Sequence, residues 1–488
     1  MSNAIEKVKT TKLGAKIWLC ALFFGLIGQL AWIVENMYFA KFMQDVFTRD
    51  PWATTLMVAL SALFATVATI ITGALCDKTG KRKLFISIGY IIWGFTIMVF
   101  ALIPINYMPE QKGGLIAFII IMDCIMSYVG SSSNDAAFNT WVTDVTDTTN
   151  RAKLNTVLSM MPVFAMVIVF VGLDSLTSPG SKTWWEFFVI LGAIPIVAGI
   201  IGLFVLKDAK NIQKNTNPNF SKELVYGFRP SVIKNNKMLY ICLCGSAIGS
   251  ASMQIYMSYL INFVTDTLKI ENYILPLAII IVLAAVIAGI FGFLMDKFGK
   301  AKFYLPVIIM SIVGPLAIYL LKFFGSAALM PVLIIGGVVL MGASLAMGGL
   351  FVAAFQDYIP KGKEGCFQGV RMFMWVLIPM LIGPLIAQLI IKLSGTYVPV
   401  EVSPAFPDGL KLVYPYELFL GAAVVAAFTL IPAYFVAKND KKIRAKLIGE
   451  RDAALALNVE GNAVIAESNV ENTMLVESDV ENAVLKGS

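Results

Sequence analysis

The sequence predicts an all-α membrane protein, with twelve transmembrane helices in two six-helix halves related by a pseudo-twofold axis. Three observations lead to this fold class. Apolar residues form 58% of the 488-residue chain and charged residues only 14%, unlike a typical soluble protein. The apolar residues are gathered in twelve runs long enough to cross a bilayer. One polar loop sequence occurs twice, at corresponding places in the two halves, which indicates a parallel duplication.

The repeated loop is the clearest internal signal in the chain. GALCDKTGKRK at residues 73–83 returns as GFLMDKFGKAK at residues 292–302, with the same spacing throughout. Each copy connects two apolar runs, and lysine-bearing loops between such runs belong at a membrane surface. Glycine in each copy suits a tight turn. We expect the repeated residues to form a conformational latch and not to bind solute: Gly73, Asp77, Gly80, Lys81, Arg82, Asp296 and Gly299.

The predicted helices follow from the apolar runs and from the turn residues between them. A run of about 20 apolar residues spans a bilayer, and Pro51, Pro104 and Pro109 mark breaks, as do the residues from Pro404 to Gly409. The twelve predicted spans are residues 15–43, 52–75, 84–104, 115–142, 154–174, 185–206, 238–262, 273–294, 303–322, 331–356, 367–392 and 417–437. The basic N-terminus leads into a run too long for a signal peptide, so we expect a retained first helix.

The distribution of basic residues predicts the orientation. Of the 38 Lys and Arg residues, 28 lie in segments on the side of the N-terminus and eight on the opposite side. Basic loops stay in the cytoplasm, so we expect a cytoplasmic-membrane protein with both termini cytoplasmic. Because the basic residues are spread over short loops, the net charge of +7 does not indicate a nucleic-acid partner. The expected partners are the lipid bilayer and a small-molecule solute, and we expect a monomer.

The longest polar connection divides the chain. The prediction is a first half at residues 1–206, a basic cytoplasmic linker at 207–237, a second half at 238–437 and a cytoplasmic tail at 438–488. The tail holds a degenerate acidic repeat with little apolar surface, which is typical of a flexible segment.

The composition argues against an enzyme. The chain contains no histidine, which removes the usual Ser-His-Asp and Cys-His catalytic groups and every His-ligated metal site. The six cysteines form no CxxC pair, and no nucleotide-binding loop is present. We therefore expect no catalytic site, no metal and no cofactor.

Twelve spans in two halves, with a GxLxDxxGxxK motif after the second span, resemble the major facilitator superfamily of transporters. The motif is carried here by Gly73, Asp77, Gly80 and Lys83, and its echo lies after the eighth span. The resemblance covers essentially the whole membrane region. It implies that helices 1, 4, 7 and 10 line a central cavity.

A second stretch narrows the resemblance. Residues 134–158 resemble the segment between helices 4 and 5 of the glycoside–pentoside–hexuronide cation symporters, the melibiose-permease group, with Asp135 and Phe138 on its D-x-x-F pattern. This implies a sugar or glycoside as solute and a cation as coupling ion. Sodium-coupled members carry acidic residues in helix 2, and residues 52–75 contain none, so H⁺ is favoured over Na⁺.

Ionisable and polar residues inside the apolar runs are the candidate solute and proton sites. A charge within a bilayer costs several kcal/mol unless it is paired or hydrated. Glu35 and Asp123 fall at similar depth in helices 1 and 4, and Asp135 lies one level deeper toward the cytoplasm. Amide and hydroxyl groups suit sugar hydroxyls, and aromatic rings suit sugar faces. The other candidates are Trp32, Asn36, Asn139, Gln254, Tyr256, Ser258 and Tyr259.

The candidates also have structural interpretations, which stay open. Glu35 is placed to pair with Lys41, and Gln254 and the tyrosines are placed to bridge helices. Arg371 is expected to meet Asp357 or a lipid phosphate, with a solute role as the alternative. Two further charged residues are expected at the surface: Asp174 and Lys182.

The sequence therefore predicts a secondary active transporter that works by alternating access and moves a sugar or glycoside together with H⁺. Burial disfavours the charged form of a carboxyl group, so such a group can bind a proton near neutral pH. One alternative is a facilitator of a lipid, drug or nucleoside, with which the methionines of the fifth span are compatible. The other is a non-transporting membrane sensor whose acidic tail docks a partner.

Overall fold

The computed structural model describes residues 13–146, 154, 157, 158, 160–177, 183–208, 226–270, 272–359, 364–402 and 408–442. The acidic repeat of the tail and most of the predicted linker lie outside these residues. The predicted boundaries of the halves therefore stay predictions.

Twelve main helices follow one another through the described chain. They are α1 Ala15–Phe47, α2 Pro51–Thr79, α3 Arg82–Leu102, α4 Pro109–Val145, α5 Met161–Gly172, α6 Trp184–Val205, α7 Lys237–Met257 with a continuation at 260–267, α8 Ile274–Phe298, α9 Tyr304–Phe323, α10 Ser326–Tyr358, α11 at 364–394 and α12 Glu417–Lys442. Within the described ranges, eleven helices are long and apolar enough to cross a membrane, and α5 is a shorter apolar helix. The predicted all-α membrane fold is confirmed.

The ends of α2 show how local sequence sets a helix boundary. The carboxylate of Asp50 accepts a hydrogen bond from the backbone N–H of Trp52 (3.0 Å), and proline follows at the first helical position. The helix ends at Gly80, whose φ of 70° favours glycine. Gly299 has a φ of 88° at the corresponding end of α8. The turn of each repeated loop is thus made by its second glycine, while Gly73 lies inside the helix.

Helix packing repeats with a period of six helices. In the first half, α1 packs on α5 and α6, α2 on α4, and α3 on α4 and α6. In the second half, α7 packs on α11 and α12, α8 on α10, and α9 on α10 and α12. The same partners therefore recur six helices later, as a duplicated fold requires. The halves meet where α2 packs on α11 and α5 packs on α8.

Small residues allow α3 and α6 to pack closely in the first half. A Cβ atom added to Gly94 on α3 would lie 2.3 Å from the carbonyl oxygen of Gly192 on α6, closer than real Cβ contacts. Glycine lets two membrane helices bring their backbones together. The contact between α3 and α6 therefore depends on this pair.

A β-hairpin between α11 and α12 departs from the all-α prediction. Strand β1 (Thr396–Pro399) pairs antiparallel with β2 (Leu410–Val413), with Thr396 opposite Val413. We call the end of the bundle with this hairpin the hairpin end. The opposite end, which carries the repeated loops at residues 73–83 and 292–302, is the basic end.

Candidate functional site

Three acidic side chains lie close together inside the first half. Glu35 on α1 is 7% exposed and Asp123 on α4 is 1% exposed, while Asp135 on α4 is half-buried. The hydroxyl of Ser127 donates to Glu35 Oε1 at 2.5 Å and lies 2.8 Å from the backbone carbonyl oxygen of Asp123. Glu35 interacts electrostatically with both aspartates. The structure thus brings together the three acids that the sequence indicated, and we call Glu35, Asp123 and Asp135 the acid cluster.

Both helices that carry the acid cluster contain wide π-helical turns. These turns are Val34–Tyr38 in α1 and Ser131–Phe138 in α4. Residues four apart share a face of a helix, and Ser131 donates to Asp135 Oδ2 at 2.9 Å. Wide turns of this kind are frequent at functional sites.

Asp135 is also held by neighbours from other elements. Asn134 Nδ2 donates to Asp135 Oδ1 at 3.3 Å, and the Tyr90 hydroxyl of α3 lies 3.0 Å from Asn134 Oδ1. From the other half, Arg371 of α11 interacts electrostatically with Asp135. Asp135 is therefore the member of the acid cluster that faces the second half.

The predicted contact between Arg371 and Asp357 is wrong. Asp357 instead pairs with Lys300 of the second repeated loop. The guanidinium carbon of Arg371 lies 5.6 Å from the ring centroid of Trp375, one turn along α11. A planar guanidinium favours such a position over an aromatic face. Arg371 therefore belongs with Asp135 near the interface between the halves.

Several solute candidates are partly accessible. Trp32 is half-buried and packs edge-on against Trp93, with ring centroids 5.3 Å apart. Asn36 is also half-buried, and its side chain donates to the Trp32 carbonyl oxygen at 2.7 Å. Gln254 on α7 is half-buried, and Asn139 on α4 is exposed. These residues remain candidates for contact with a solute.

The other candidates on α7 are buried in packing contacts. Tyr256 stacks on Phe419 of α12 with ring centroids 5.1 Å apart, and Tyr259 packs on Tyr414 at 4.8 Å. Ser258 is 7% exposed. These contacts favour the alternative interpretation, in which the residues join neighbouring elements.

The repeated loops each send a cation to the end of a distant helix in the same half. Arg82 Nε lies 3.0 Å from Asp144 Oδ2 at the end of α4. Lys300 pairs with Asp357 at the end of α10 in the same way. The two ion pairs occupy corresponding places in the two halves. They fit the predicted latch role of the loops, although the sequence did not identify Lys300 as the contact.

The remaining latch residues are only partly described. The side chain of Lys81 is exposed at the basic end. The side chains of Asp77 and Asp296 lie outside the described part of the structure. Their role in a latch stays a prediction.

At the hairpin end, a buried polar network joins the halves. Arg49, which follows α1, lies 2.9 Å from Asp45 Oδ1 through Nη2 and 2.5 Å from Asp266 Oδ2 through Nη1. Lys411 of β2 lies 2.9 Å from Asp266 Oδ1, and Lys41 lies 3.1 Å from Asp45 Oδ2. We call this network the hairpin-end clamp, with the members Lys41, Gln44, Asp45, Arg49, Asn262, Asp266 and Lys411.

Further hydrogen bonds reinforce the hairpin-end clamp. Asn262 of α7 donates to Gln44 Oε1 and to Asp45 Oδ1, both at 3.0 Å. Arg49 Nη1 also lies 3.1 Å from the carbonyl oxygen of Leu412 in β2. Burial alone would lower the pKa of Arg49, but the facing tyrosine and carboxylates outweigh this effect and raise the pKa. The arginine therefore stays charged.

The prediction that Asp174 lies at the surface is wrong. Its side chain is 3% exposed and accepts hydrogen bonds from the hydroxyls of Tyr38 on α1 (2.7 Å) and Tyr273 at the start of α8. The alternative pairing of Glu35 with Lys41 is also not formed, because Lys41 pairs with Asp45. Lys182 lies outside the described residues.

Among the described residues, an ion pair joins the two halves at the hairpin end, between Arg49 and Asp266. The described pairs at the basic end, from Arg82 and Lys300, each stay within one half. The bundle is therefore clamped at the hairpin end. No group of three or more Cys, Asp or Glu among the described residues is arranged to hold a metal ion.

A bundle of membrane-spanning helices in two like halves, with acids buried inside the first half, defines a membrane transporter and not an enzyme. The Major Facilitator Superfamily matches residues 17–384, and the chain belongs to this family. No curated protein matches the sequence.

Several solved structures have a similar fold. A mutant of the nucleoside transporter NupG has a TM-score of 0.63 and 14% identity, covering 87% of this chain and 99% of that chain. The xylose transporter XylE from E. coli has a TM-score of 0.60 and 13% identity, covering 87% and 97%. A bacterial homolog of the human lysosomal transporter Spinster has a TM-score of 0.59 and 16% identity, covering 88% and 98%. Identities this low show the shared fold alone.

Proposed function

We propose that the protein moves a sugar or glycoside by H⁺ symport and alternating access, in the manner of the glycoside–pentoside–hexuronide symporters. The proposed location is the cytoplasmic membrane, with both termini and the basic end in the cytoplasm. The observation that carries the proposal is the acid cluster inside the first half.

The proton site in this proposal is the pair of Glu35 and Asp123. Both carboxyl groups are buried, and within the described residues Glu35 Oε2 and Asp123 Oδ1 have no hydrogen-bond partner. Ser127 donates to Glu35 and Ser61 interacts with Asp123, but a buried charge without an opposite charge beside it costs several kcal/mol, and two facing carboxylates add their repulsion. One bound proton removes the repulsion and leaves one buried charge instead of two, while Ser127 holds Glu35 in place. The pair therefore suits H⁺ as the coupling ion.

Asp135 is the proposed exchange point on the cytoplasmic side. It is half-buried, it interacts with Glu35, and it lies nearer the basic end of α4. Arg371 supplies a positive charge from the other half. A proton that reaches Asp135 weakens its attraction to Arg371, and the halves can then move relative to each other.

The proposed solute contacts are half-buried residues on α1 and α7. Asn36 and Gln254 offer amide donors and acceptors to sugar hydroxyls, and Trp32 offers an aromatic face. Trp32 and Asn36 lie on α1 with Glu35, so a solute bound there would lie close to the proton site.

Uptake into proteoliposomes tests the proposal. The purified protein is reconstituted with an alkaline interior and given labelled sugars and glycosides, including xylose and melibiose, with uridine as a nucleoside comparison. We expect accumulation of a sugar that a protonophore abolishes, and loss of accumulation with exchange retained in the Glu35→Gln variant. Uptake of uridine without any sugar would refute the solute class. Sugar accumulation that survives collapse of the proton gradient would refute the coupling.

A further inference from the structure

In the hairpin-end clamp, Arg49 and Asp266 form an ion pair between the halves, and each also has an ionic partner in its own half. Arg49 uses two nitrogens, one toward Asp45 of its own half and one toward Asp266 of the other half. Asp266 likewise uses two oxygens, one toward Arg49 and one toward Lys411 of its own half. Each ion of the crossing pair thus has a second partner that moves with it.

This arrangement matters because the groups are buried. The side chain of Arg49 is 3% exposed and that of Asp266 is 13% exposed. Removing one partner from a buried ion pair is strongly destabilising, because the remaining charge is left uncompensated. With Asp45 and Lys411 in place, the ion pair between Arg49 and Asp266 can break, and each of the two ions still has a partner of opposite charge.

We infer that the hairpin-end clamp is a releasable gate, in which the Arg49–Asp266 bond opens while Asp45 and Lys411 keep the separated ions paired. The β-hairpin is then a working part of the gate, because it supplies Lys411 and the Leu412 carbonyl oxygen. The inference rests on the alternating access of the proposed function. It adds the residues that decide how readily the hairpin end opens.

The inference predicts opposite effects for two losses of positive charge. Arg49→Gln removes the crossing bond and leaves Asp266 paired with Lys411, so the open state becomes easier to reach. Lys411→Gln leaves the ion pair between Arg49 and Asp266 in place. Asp266 would then have no cationic partner after opening, so the open state becomes harder to reach. A merely structural network would respond to both variants in the same direction.

Pulsed electron paramagnetic resonance can measure the two states. Spin labels are placed on a ketone-bearing unnatural amino acid at positions 110 and 272, one exposed site in each half at the hairpin end. This labelling leaves the native cysteines in place. An Asn262→Ala background removes two hydrogen bonds between the halves, one to the Gln44 amide and one to the Asp45 carboxylate, which raises the open fraction so that a decrease is measurable.

In this background we compare the population with the long distance between the spin labels to the population with the short distance. We expect Arg49→Gln to raise this ratio about tenfold and Lys411→Gln to lower it about tenfold, as expected for a close buried charge pair. Lys392→Gln, which changes an exposed lysine on α11, is the matched control and leaves the ratio unchanged. The effect of Lys411→Gln disappears when Arg49→Gln is also present, because Asp266 then has no cationic partner in either the closed or the open state.

The possible results separate the inference from the proposed function. Shifts of Arg49→Gln and Lys411→Gln in the same direction, or no shift in either, overturn the inference while alternating access stands. Absence of a second distance in every variant overturns alternating access itself. The measurement uses neither solute nor proton gradient, so it does not depend on the identity of the sugar.

Discussion

Loss of the Ser127 hydroxyl should change the pH at which Glu35 binds its proton. Ser127 donates to Glu35 Oε1 at 2.5 Å, and Ser127→Ala removes that donor. A hydrogen bond to a charged group contributes about 1.5–3 kcal/mol and one to a neutral group about 0.5–1.5 kcal/mol. The difference of roughly 1 to 1.5 kcal/mol favours the carboxylate. At 1.36 kcal/mol for each pH unit, it corresponds to about one unit.

The sign follows from which form the hydroxyl stabilises. Without the donor the carboxylate is less stable, so Glu35 keeps its proton to higher pH and its titration midpoint rises by about one unit. Infrared difference spectroscopy can follow the carbonyl stretch of the protonated acid, which is assigned by its loss in Glu35→Gln. Ser133→Ala is the control, because that buried hydroxyl lies 3.0 Å from the carbonyl oxygen of Val129. An unchanged or lowered midpoint in Ser127→Ala would refute this reasoning.

Two further pairs of variants test the fold by thermal unfolding in detergent. Gly94→Ala places a Cβ 2.3 Å from the carbonyl oxygen of Gly192, so we expect a loss of about 1–3 kcal/mol. Gly289→Ala meets open space and should gain up to about 1 kcal/mol of helix propensity, so equal stability of these two variants would contradict the packing of α3 on α6. Gly80→Ala should cost about 1–2 kcal/mol because its φ is 70°. Gly73→Ala lies inside a helix with open space and should cost nothing, and equal losses at these two positions would contradict the turn.

The fold could be predicted because it depends on signals that are local in the sequence. Long apolar runs indicate membrane helices, and the repeat of the 73–83 loop indicates two like halves. The acid cluster could also be found, since charged residues are rare inside such runs. Glu35, Asp123 and Asp135 were singled out for that reason, and the structure places them within electrostatic range.

The hairpin-end clamp could not be predicted, because its members are far apart in the chain. Arg49 and Lys411 appear in the sequence only as basic residues on the less basic side. Their meeting at Asp266 depends on how the two halves pack. Asp174 was misplaced for the same reason, since two distant tyrosines bury it.

Which side chains share a face of α4 could also not be predicted from the sequence. The sequence predicts a regular α-helix here, with 3.6 residues per turn. The structure instead has a π-helical turn at Ser131–Phe138, which changes the direction of the side chains that follow it. Sequence periodicity does not indicate where such a wide turn occurs.

The most direct test of the proposed coupling is proton movement driven by solute alone. Proteoliposomes in a weakly buffered medium, without a pH gradient, receive the transported sugar while a pH electrode records the medium. We predict that the medium becomes alkaline as sugar enters, and that the Glu35→Gln variant gives no such signal. Sugar entry without any change in external pH, or an equal signal from the Glu35→Gln variant, would contradict the role of the acid cluster.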